Sequence, residues 1–192
     1  MTRFEHLFSR SALTIYLSVG ALFTILTLLI AVDPAIRLKH EDVALPIAAV
    51  DAAVARGRLI YMAEGCGYCH SQLVRPALID TPYGRPSSAA DYAGAIPPLV
   101  GTQRNGPDLS AVGERQTSHV WNLYHLFNPR SMVPASVMPA YPWYFDVVDK
   151  ANAPPGALAL VLEKPFLAEG KVVLPRPEAL DLVAYLLSVK QR

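Results

Sequence analysis

Charge is scarce in this sequence and nearly balanced. Lys, Arg, Asp and Glu make up 17% of 192 residues, and 17 basic side chains against 16 acidic ones leave a net charge of +1. Without a basic excess there is nothing to neutralise phosphates, which argues against a nucleic-acid partner. A hydrophobic share of 52% excludes a disordered polyelectrolyte, which lacks apolar surface to bury. Cysteine is scarcer still, with only Cys66 and Cys69. Three positions apart, they close almost no loop and make a poor structural staple. No second Cys pair exists to complete a four-ligand structural zinc site. The sequence has no internal repeat and no low-complexity tract. At roughly 150 residues per domain, the length fits one compact domain.

What the chain does have is a long apolar run. Ser11 to Val32, SALTIYLSVGALFTILTLLIAV, is 22 residues without a charge. As a helix it spans about 33 Å, enough for a hydrocarbon core of roughly 30 Å. A cleaved signal peptide would carry an apolar core of about 7–15 residues and small residues at the cleavage point. Ala31-Val32-Asp33-Pro34 is a poor cleavage site, so an uncleaved transmembrane anchor over 11–32 is expected. Residues 1–10 precede it and a polar linker over 33–46 follows. Arg3 and Arg10 before the span balance Arg37 and Lys39 after it, so basic residues do not orient it. Ser11, Thr14, Ser18 and Ala21 share one helical arc; such a stripe suits packing against other membrane helices, but small residues occur in any apolar helix.

Residues 66–70 read Cys-Gly-Tyr-Cys-His. Two thiols at this spacing can add to the two vinyl groups of one haem, and the next histidine then lies under the iron as proximal ligand. A thioredoxin-type Cys-x-x-Cys would follow a strand in a chain of alternating strands and helices. Here the motif ends a helical stretch, Asp51 to Glu64. A second helix is expected over Glu178 to Lys190, with Pro177 at its first position and Glu178 and Asp181 at its positive dipole end. Gly57 and Tyr61 lie four apart on one face of the first helix. A glycine there admits an aromatic from the second, so Gly57 and Tyr61 are expected to meet Tyr185. Fifteen of the 17 prolines fall between Pro76 and Pro177, so much of the middle must be loop. With an initial helix ending in the haem motif and a terminal helix crossing it, the chain resembles a class I cytochrome c. The expected fold is all-α: one N-terminal transmembrane helix, then a cytochrome c-like domain over 47–192 with long Pro-rich loop insertions.

A second axial ligand must come from the methionines or the remaining histidines. Met138 precedes Pro139, whose ring stiffens an extended loop able to hold a thioether at the iron. Met132 is its rival, and Met62 sits in the first helix, where packing is its simpler role. His119 and His125 fall on an expected helix, Thr117 to Phe127. Met138 is favoured, with Met132, a histidine or an open position as alternatives; His/Met ligation would favour electron transfer over oxygen or peroxide chemistry. By resemblance to cytochromes c, the carbonyl of Pro107 in Asn105-Gly106-Pro107-Asp108-Leu109 accepts a hydrogen bond from the proximal histidine. Arg75, Arg85 and Arg104 are candidates for the haem propionates, because a guanidinium matches a carboxylate bidentately; a solvated surface role is the alternative for each.

Longer strings are more specific. Glu64-Gly65-Cys66-Gly67-Tyr68-Cys69-His70-Ser71-Gln72-Leu73-Val74-Arg75-Pro76 comes first, then Tyr83-Gly84-Arg85-Pro86-Ser87. His125-Leu126-Phe127-Asn128-Pro129-Arg130 and Met138-Pro139-Ala140-Tyr141-Pro142-Trp143 follow. Together with the Pro107 loop, these resemble the mono-haem subunit II of cbb(3)-type cytochrome c oxidases. The resemblance implies one covalent haem c on Cys66 and Cys69, with His70 and Met138 on its iron. It also implies a single-pass protein of the bacterial inner membrane, with residues 1–10 cytoplasmic and the haem domain in the periplasm. Its partners would be a haem-copper catalytic subunit and a c-type cytochrome or di-haem donor. This subunit would be non-catalytic, relaying electrons to a b-type haem where oxygen is reduced to water. Residues 146–177 fall outside the resemblance, as an insertion. The competing readings are the cytochrome c subunit of a nitric oxide reductase, a membrane-tethered shuttle without a catalytic partner, and a haem enzyme or gas sensor with an open iron position.

Overall fold

The computed structural model describes residues 3–40, 50–92 and 94–191, with side chains from 12 to 37 in the first stretch. The chain divides into two units, residues 1–44 and 45–192. The first is helical throughout its described length: α1 (Arg3–Thr27), a π turn (Leu28–Val32) and α2 (Asp33–His40). Ala12–Arg37 is apolar enough to cross a membrane, with a mean hydropathy of 2.4. The helix therefore runs past the expected boundary at Val32, and residues 33–40 are not the anticipated linker. The π turn explains the continuation. Pro34 has no amide to donate, and just before it the N–H of Asp33 bonds the carbonyl of Leu28, five residues back. Arg37 pairs with Asp33 at 2.8 Å across the first turn of α2. Residues 41–46, the rest of that linker, lie outside the described residues.

The second unit is built around one helix crossing. Asp51 caps α3 (Ala52–Ala63), its carboxylate accepting from Ala53 N at 2.7 Å. At the other end of the chain, Pro177 opens α7 (Pro177–Ser188). The expected meeting of Gly57 and Tyr61 with Tyr185 is present. A Cβ at position 57 would collide with the Asp181 carbonyl and come within 2.8 Å of the Tyr185 Cβ, so only a bare Cα permits this approach. The Tyr61 and Tyr185 rings pack at 5.3 Å with a 58° tilt. Arg56 grips Asp181 with two hydrogen bonds, at 2.6 and 2.8 Å, at the margin of the crossing.

Between α3 and α4 (Val112–Arg115) the described chain contains only 3-10 turns. Ser118 then caps α5 (His119–Phe127), and Asn128 caps α6 (Pro129–Met132), which has Pro129 at its first position. The all-α expectation fails in the segment that follows. β1 (Phe145–Asp149) and β2 (Lys171–Pro175) pair antiparallel, with Phe145 opposite Pro175 and Asp149 opposite Lys171. Leu160 bridges to Val173 on the other edge of β2. FDVVD and KVVLP are rich in β-branched residues that suit a pleated surface. Each is only five residues long and flanked by prolines, so neither shows a long alternation. The 146–177 insertion is thus part of the fold: Leu160, Leu167 and Val173 join Tyr61, Leu123, Phe127, Leu182 and Tyr185 in one core. Phe127 meets Phe145 edge-on at 5.4 Å.

Because the α3–α7 contact has no room for a methyl group, Gly57→Ala should destabilise the folded protein by about 1–3 kcal/mol or more, as overpacking does. Denaturant unfolding measures this, and an unchanged midpoint would mean that the helices do not cross at residue 57.

Candidate functional site

The Cys-Gly-Tyr-Cys-His motif follows directly from how α3 ends. After Glu64, Gly65 takes a left-handed conformation (φ 67°) that turns the chain into a 3-10 turn over Cys66–Tyr68. The N–H groups of Cys69 and His70 both bond the Cys66 carbonyl, at 3.1 and 2.9 Å. One compact turn therefore carries both thiols and the imidazole. Cys66 is half-buried and Cys69 exposed, and neither is in a disulfide. Burial, reinforced by the Glu64 carboxylate, pushes the Cys66 thiol up to about 11. That is the reverse of the lowered pKa that makes a reactive redox thiolate.

His70 and Pro107 are brought together as expected. His70 Nδ1 lies 2.8 Å from the Pro107 carbonyl oxygen. A carbonyl can only accept, so Nδ1 carries the hydrogen and Nε2 keeps its lone pair. The loop passes directly over the ring, and a Cβ at Gly106 would sit 2.7 Å from His70 Nδ1. Backbone bonds lace this loop to the haem motif: Thr102 N to Gly67 O, Gly106 N to Cys69 O, Gln72 N to Val100 O and Leu109 N to Ser71 O, all 2.7–2.9 Å.

Asp108, next to Pro107 and fully buried, anchors the loop. Its carboxylate accepts from Ser71 Oγ at 2.6 Å, Leu73 N at 2.8 Å and Ser110 N at 2.8 Å. Burial alone would raise its pKa, but the hydrogen bonds from Ser71, Ser110 and Leu73 outweigh that and hold it below the usual carboxylate value. Arg104 donates to Ser71 Oγ at 2.7 Å and the Leu73 carbonyl at 2.6 Å, reaches Asp108 at 3.3 Å, and bonds Asp80. Arg75 grips the same buried Asp80 with Nε and Nη2 at 3.0 and 2.9 Å. Hydrogen bonds from Arg75 first and Arg104 second hold the Asp80 carboxyl far below its ordinary range. The guanidiniums of Arg104 and Arg115 also both stack on Tyr83, at 5.5 and 5.4 Å.

The three arginines singled out in the sequence are thus each engaged by protein carboxylates. Arg75 and Arg104 converge on Asp80, while Arg85 pairs with Asp91 at 2.5 Å and stands apart from them. A cavity of about 320 Å³ is bordered by Arg75, Arg104, Tyr83, Gly106 and Pro107.

The Met138 loop is stitched to the same place. Tyr141 N donates to the Leu126 carbonyl on α5 at 2.9 Å. The Tyr141 hydroxyl faces the Cys66 thiol, and burial first, then the nearby Cys66, raise Tyr141 to about 12. Tyr144 donates its hydroxyl hydrogen to Glu64, just before the motif, and Trp143 Nε1 reaches the same carboxylate at 3.4 Å. Met138 is half-buried against the core. Met132 closes α6, also half-buried, and the Met62 sulfur on α3 accepts from Arg58 at 3.6 Å. His125 stacks on Trp121 (4.7 Å, 11°), and its Nδ1 is buried without a hydrogen-bond partner. Burial, and then the charge of His70, lower its pKa to about 4.

Two soft thiols on one turn, an imidazole clamped at Nδ1 by a carbonyl so that Nε2 stays free, and a half-buried thioether on a loop tied to that turn form a donor set that fits a haem. Asp108 was legible in the Asn105–Leu109 string but its anchoring role was not; Ser71 and Glu64 carried no local signal, because Asp108 and Tyr144 lie 37 and 80 positions away, and Asp80, although only five positions from Arg75, gave no sign of Arg104, 24 positions on.

Both buried carboxylates are depressed in the fold, so the stability they contribute is fully present above the unfolded Asp value of about 4 and is lost as pH falls through their folded values. These two carboxylates should leave the thermal midpoint unchanged from neutral pH to about pH 4–5 and lower it below that, while His125, kept neutral by burial down to about pH 4, adds a decline that begins near its unfolded value of about 6.5. Arg104→Ala should lower the neutral-pH midpoint and flatten the acid limb, because Asp80 loses one of its cations. Parallel wild-type and variant profiles would contradict this role.

No curated protein matches the chain significantly. A family model described as cytochrome c oxidase, mono-heme subunit/FixO, matches residues 5–163. A match that begins in the apolar helix, passes through the Cys66–His70 turn and extends beyond Met138 covers most of the chain, which therefore belongs to the cytochrome c oxidase mono-heme subunit/FixO family.

Proposed function

We propose that this subunit is the one-electron relay of a membrane haem-copper oxidase, with residues 50–191 forming a class I cytochrome c-like domain. Cys66 and Cys69 would hold one haem c by thioether bonds, and His70 and Met138 would ligate its iron. When bound, the haem supplies reversible one-electron chemistry between a c-type or di-haem donor and the b-type haem of the catalytic subunit, where oxygen is reduced to water. The observation that carries this reading is the 2.8 Å contact between His70 Nδ1 and the Pro107 carbonyl, made on the same turn that carries both thiols.

The roles of the chain's own residues follow from it. Pro107 fixes the His70 tautomer and increases the basicity of Nε2. Asp108, held by Ser71, Leu73 and Ser110, keeps the Pro107 carbonyl in place. Arg75 and Arg104 border the cavity beside Pro107, where a haem carboxylate would share guanidiniums already serving Asp80. Arg85 orders the loop at Asp91. Tyr141 and Glu64 tie the Met138 loop to the attachment turn. With both the Met138 thioether and the His70 imidazole on the iron, the potential would be raised and no position would be left for a gas, as a relay requires.

The apolar helix over 12–37 supports a single-pass anchor. Covalent haem is attached on the outer side of the bacterial inner membrane, which puts residues 50–191 in the periplasm and the N-terminal tail in the cytoplasm. Gentle detergent extraction should recover the subunit with a multi-helix haem-copper chain, and turnover with oxygen rather than nitric oxide should accompany it. Recovery without such a chain would favour the stand-alone shuttle.

Met138→Ala should leave the haem attached, lower its potential and slow electron uptake. Potentiometric titration checks this, and an unchanged potential would transfer the ligand role to Met132. Replacing Cys66 and Cys69 together by Ala should abolish haem-stained protein in denaturing gels and destroy the fold, because the haem fills much of the core. A haem-free variant that folded and assembled would contradict the reading.

A further inference from the structure

We propose that the exposed apolar turn Pro76–Ile79, with the hollow beside Ile79, is the surface on which the haem-copper catalytic subunit of the oxidase is seated. The inference deepens the relay reading above and rests on it.

Pro76, Ala77, Leu78 and Ile79 follow one another, and all four face solvent. Leu78 is 90% exposed and Ile79 76%. Among the described residues beyond the membrane-length helix, they are the only adjacent pair of exposed large aliphatic side chains. Four consecutive exposed apolar residues cost solubility and add nothing to the core, so they call for a covering partner.

The turn is also rigid. Next to the two side chains, Asp80 is fully buried and accepts from Arg75 N, Nε and Nη2 at 2.7, 3.0 and 2.9 Å, and from Arg104. Thr81 Oγ1 closes the turn on the Leu78 carbonyl at 2.8 Å. A flexible loop would lose conformational entropy on docking, whereas a turn fixed in this way has already lost it.

The position of the turn names the occupant. Ile79 borders the cavity of about 320 Å³ that Arg75, Arg104, Gly106 and Pro107 also line. Arg75 borders a second cavity as well, of about 240 Å³, together with Pro76, Ala77 and Leu78. Two neighbouring hollows edged by aliphatic side chains are a relief that another chain can fill. Gly106 and Pro107 lie on the His70 imidazole, with the Pro107 carbonyl 2.8 Å from Nδ1. A chain seated on the Ile79 rim would close the first hollow and meet the loop that holds the proposed proximal ligand. Electron transfer weakens steeply with distance, so this place suits a redox partner. The chain belongs to a family of oxidase subunits, so part of its surface is covered by the rest of that complex. Permanent interfaces are more apolar than transient ones, and the four residues carry no charge; they therefore fit the catalytic subunit better than a visiting donor.

The test uses the full-length haem-loaded subunit, produced together with its oxidase and extracted in mild detergent. Leu78→Asp/Ile79→Asp should cut the haem-copper chain recovered with it at least about tenfold, because two charges must then be desolvated at the contact. Haem content, reduction potential and the thermal midpoint of the separated subunit should stay at wild-type values. Ile79→Cys carrying a benzophenone maleimide should photo-cross-link to the haem-copper chain. Undiminished recovery with the double variant would overturn the proposal. So would a lowered midpoint, which would mean that the two side chains serve the subunit's own fold. If the double variant does not accumulate, the cross-link decides: an adduct with the donor cytochrome or with a second copy of this subunit, or none at all, would overturn the proposal. Each of these results leaves the relay reading intact. A wild-type subunit that brings down no haem-copper chain would overturn that reading, and this proposal with it.

Discussion

The hydrogen bond between His70 and the Pro107 carbonyl is the constraint on which the rest of the site depends. An imidazole on a surface turn can rotate and exchange tautomers. Here a carbonyl 2.8 Å from Nδ1 selects one tautomer and one ring orientation. The carbonyl is itself well held. Proline restricts its own backbone, Gly106 lets the loop lie against the ring, and Asp108 binds the loop back to Ser71 and Leu73. Much of the buried charge between residues 71 and 115 serves that positioning.

A buried carboxylate is costly unless it is paired and hydrogen-bonded. Asp80 and Asp108 are both buried, and Arg104 joins them while also bonding Ser71 and Leu73, immediately after the haem motif. The polar network and the Cys66–His70 turn are therefore one mechanical unit. The apolar side of the domain has a corresponding unit. The α3–α7 crossing fixes where α3 ends, and so where Cys66 lies, while Glu64 at that end collects Tyr144 and Trp143 from the Met138 loop. Both walls of the site are thus referred to the end of one helix.

Sequence alone revealed the parts of this design in which the chemistry is local. The Cys66–His70 turn, the contact between His70 and Pro107, and the close approach at Gly57 were each legible within a few positions. The helix apolar enough to cross a membrane was legible from its uncharged run, although its end was not, because a π turn before Pro34 continues the helix beyond Val32. The β1–β2 pair escaped because five-residue strands, brought together across some twenty intervening residues, leave little periodicity. The arginines were read as candidates for the haem propionates, whereas in the protein Arg75 and Arg85 pair with Asp80 and Asp91, five and six positions along the chain, and only Arg104 reaches its carboxylate Asp80 from 24 positions away.

The most direct test is the intact mass of the purified chain under denaturing conditions. Two thioether bonds would make the porphyrin part of the covalent molecule, so the account requires polypeptide plus one haem, with the added mass confined to the peptide that contains Cys66 and Cys69. A mass equal to the bare polypeptide, or haem lost on acidic organic extraction, would contradict it.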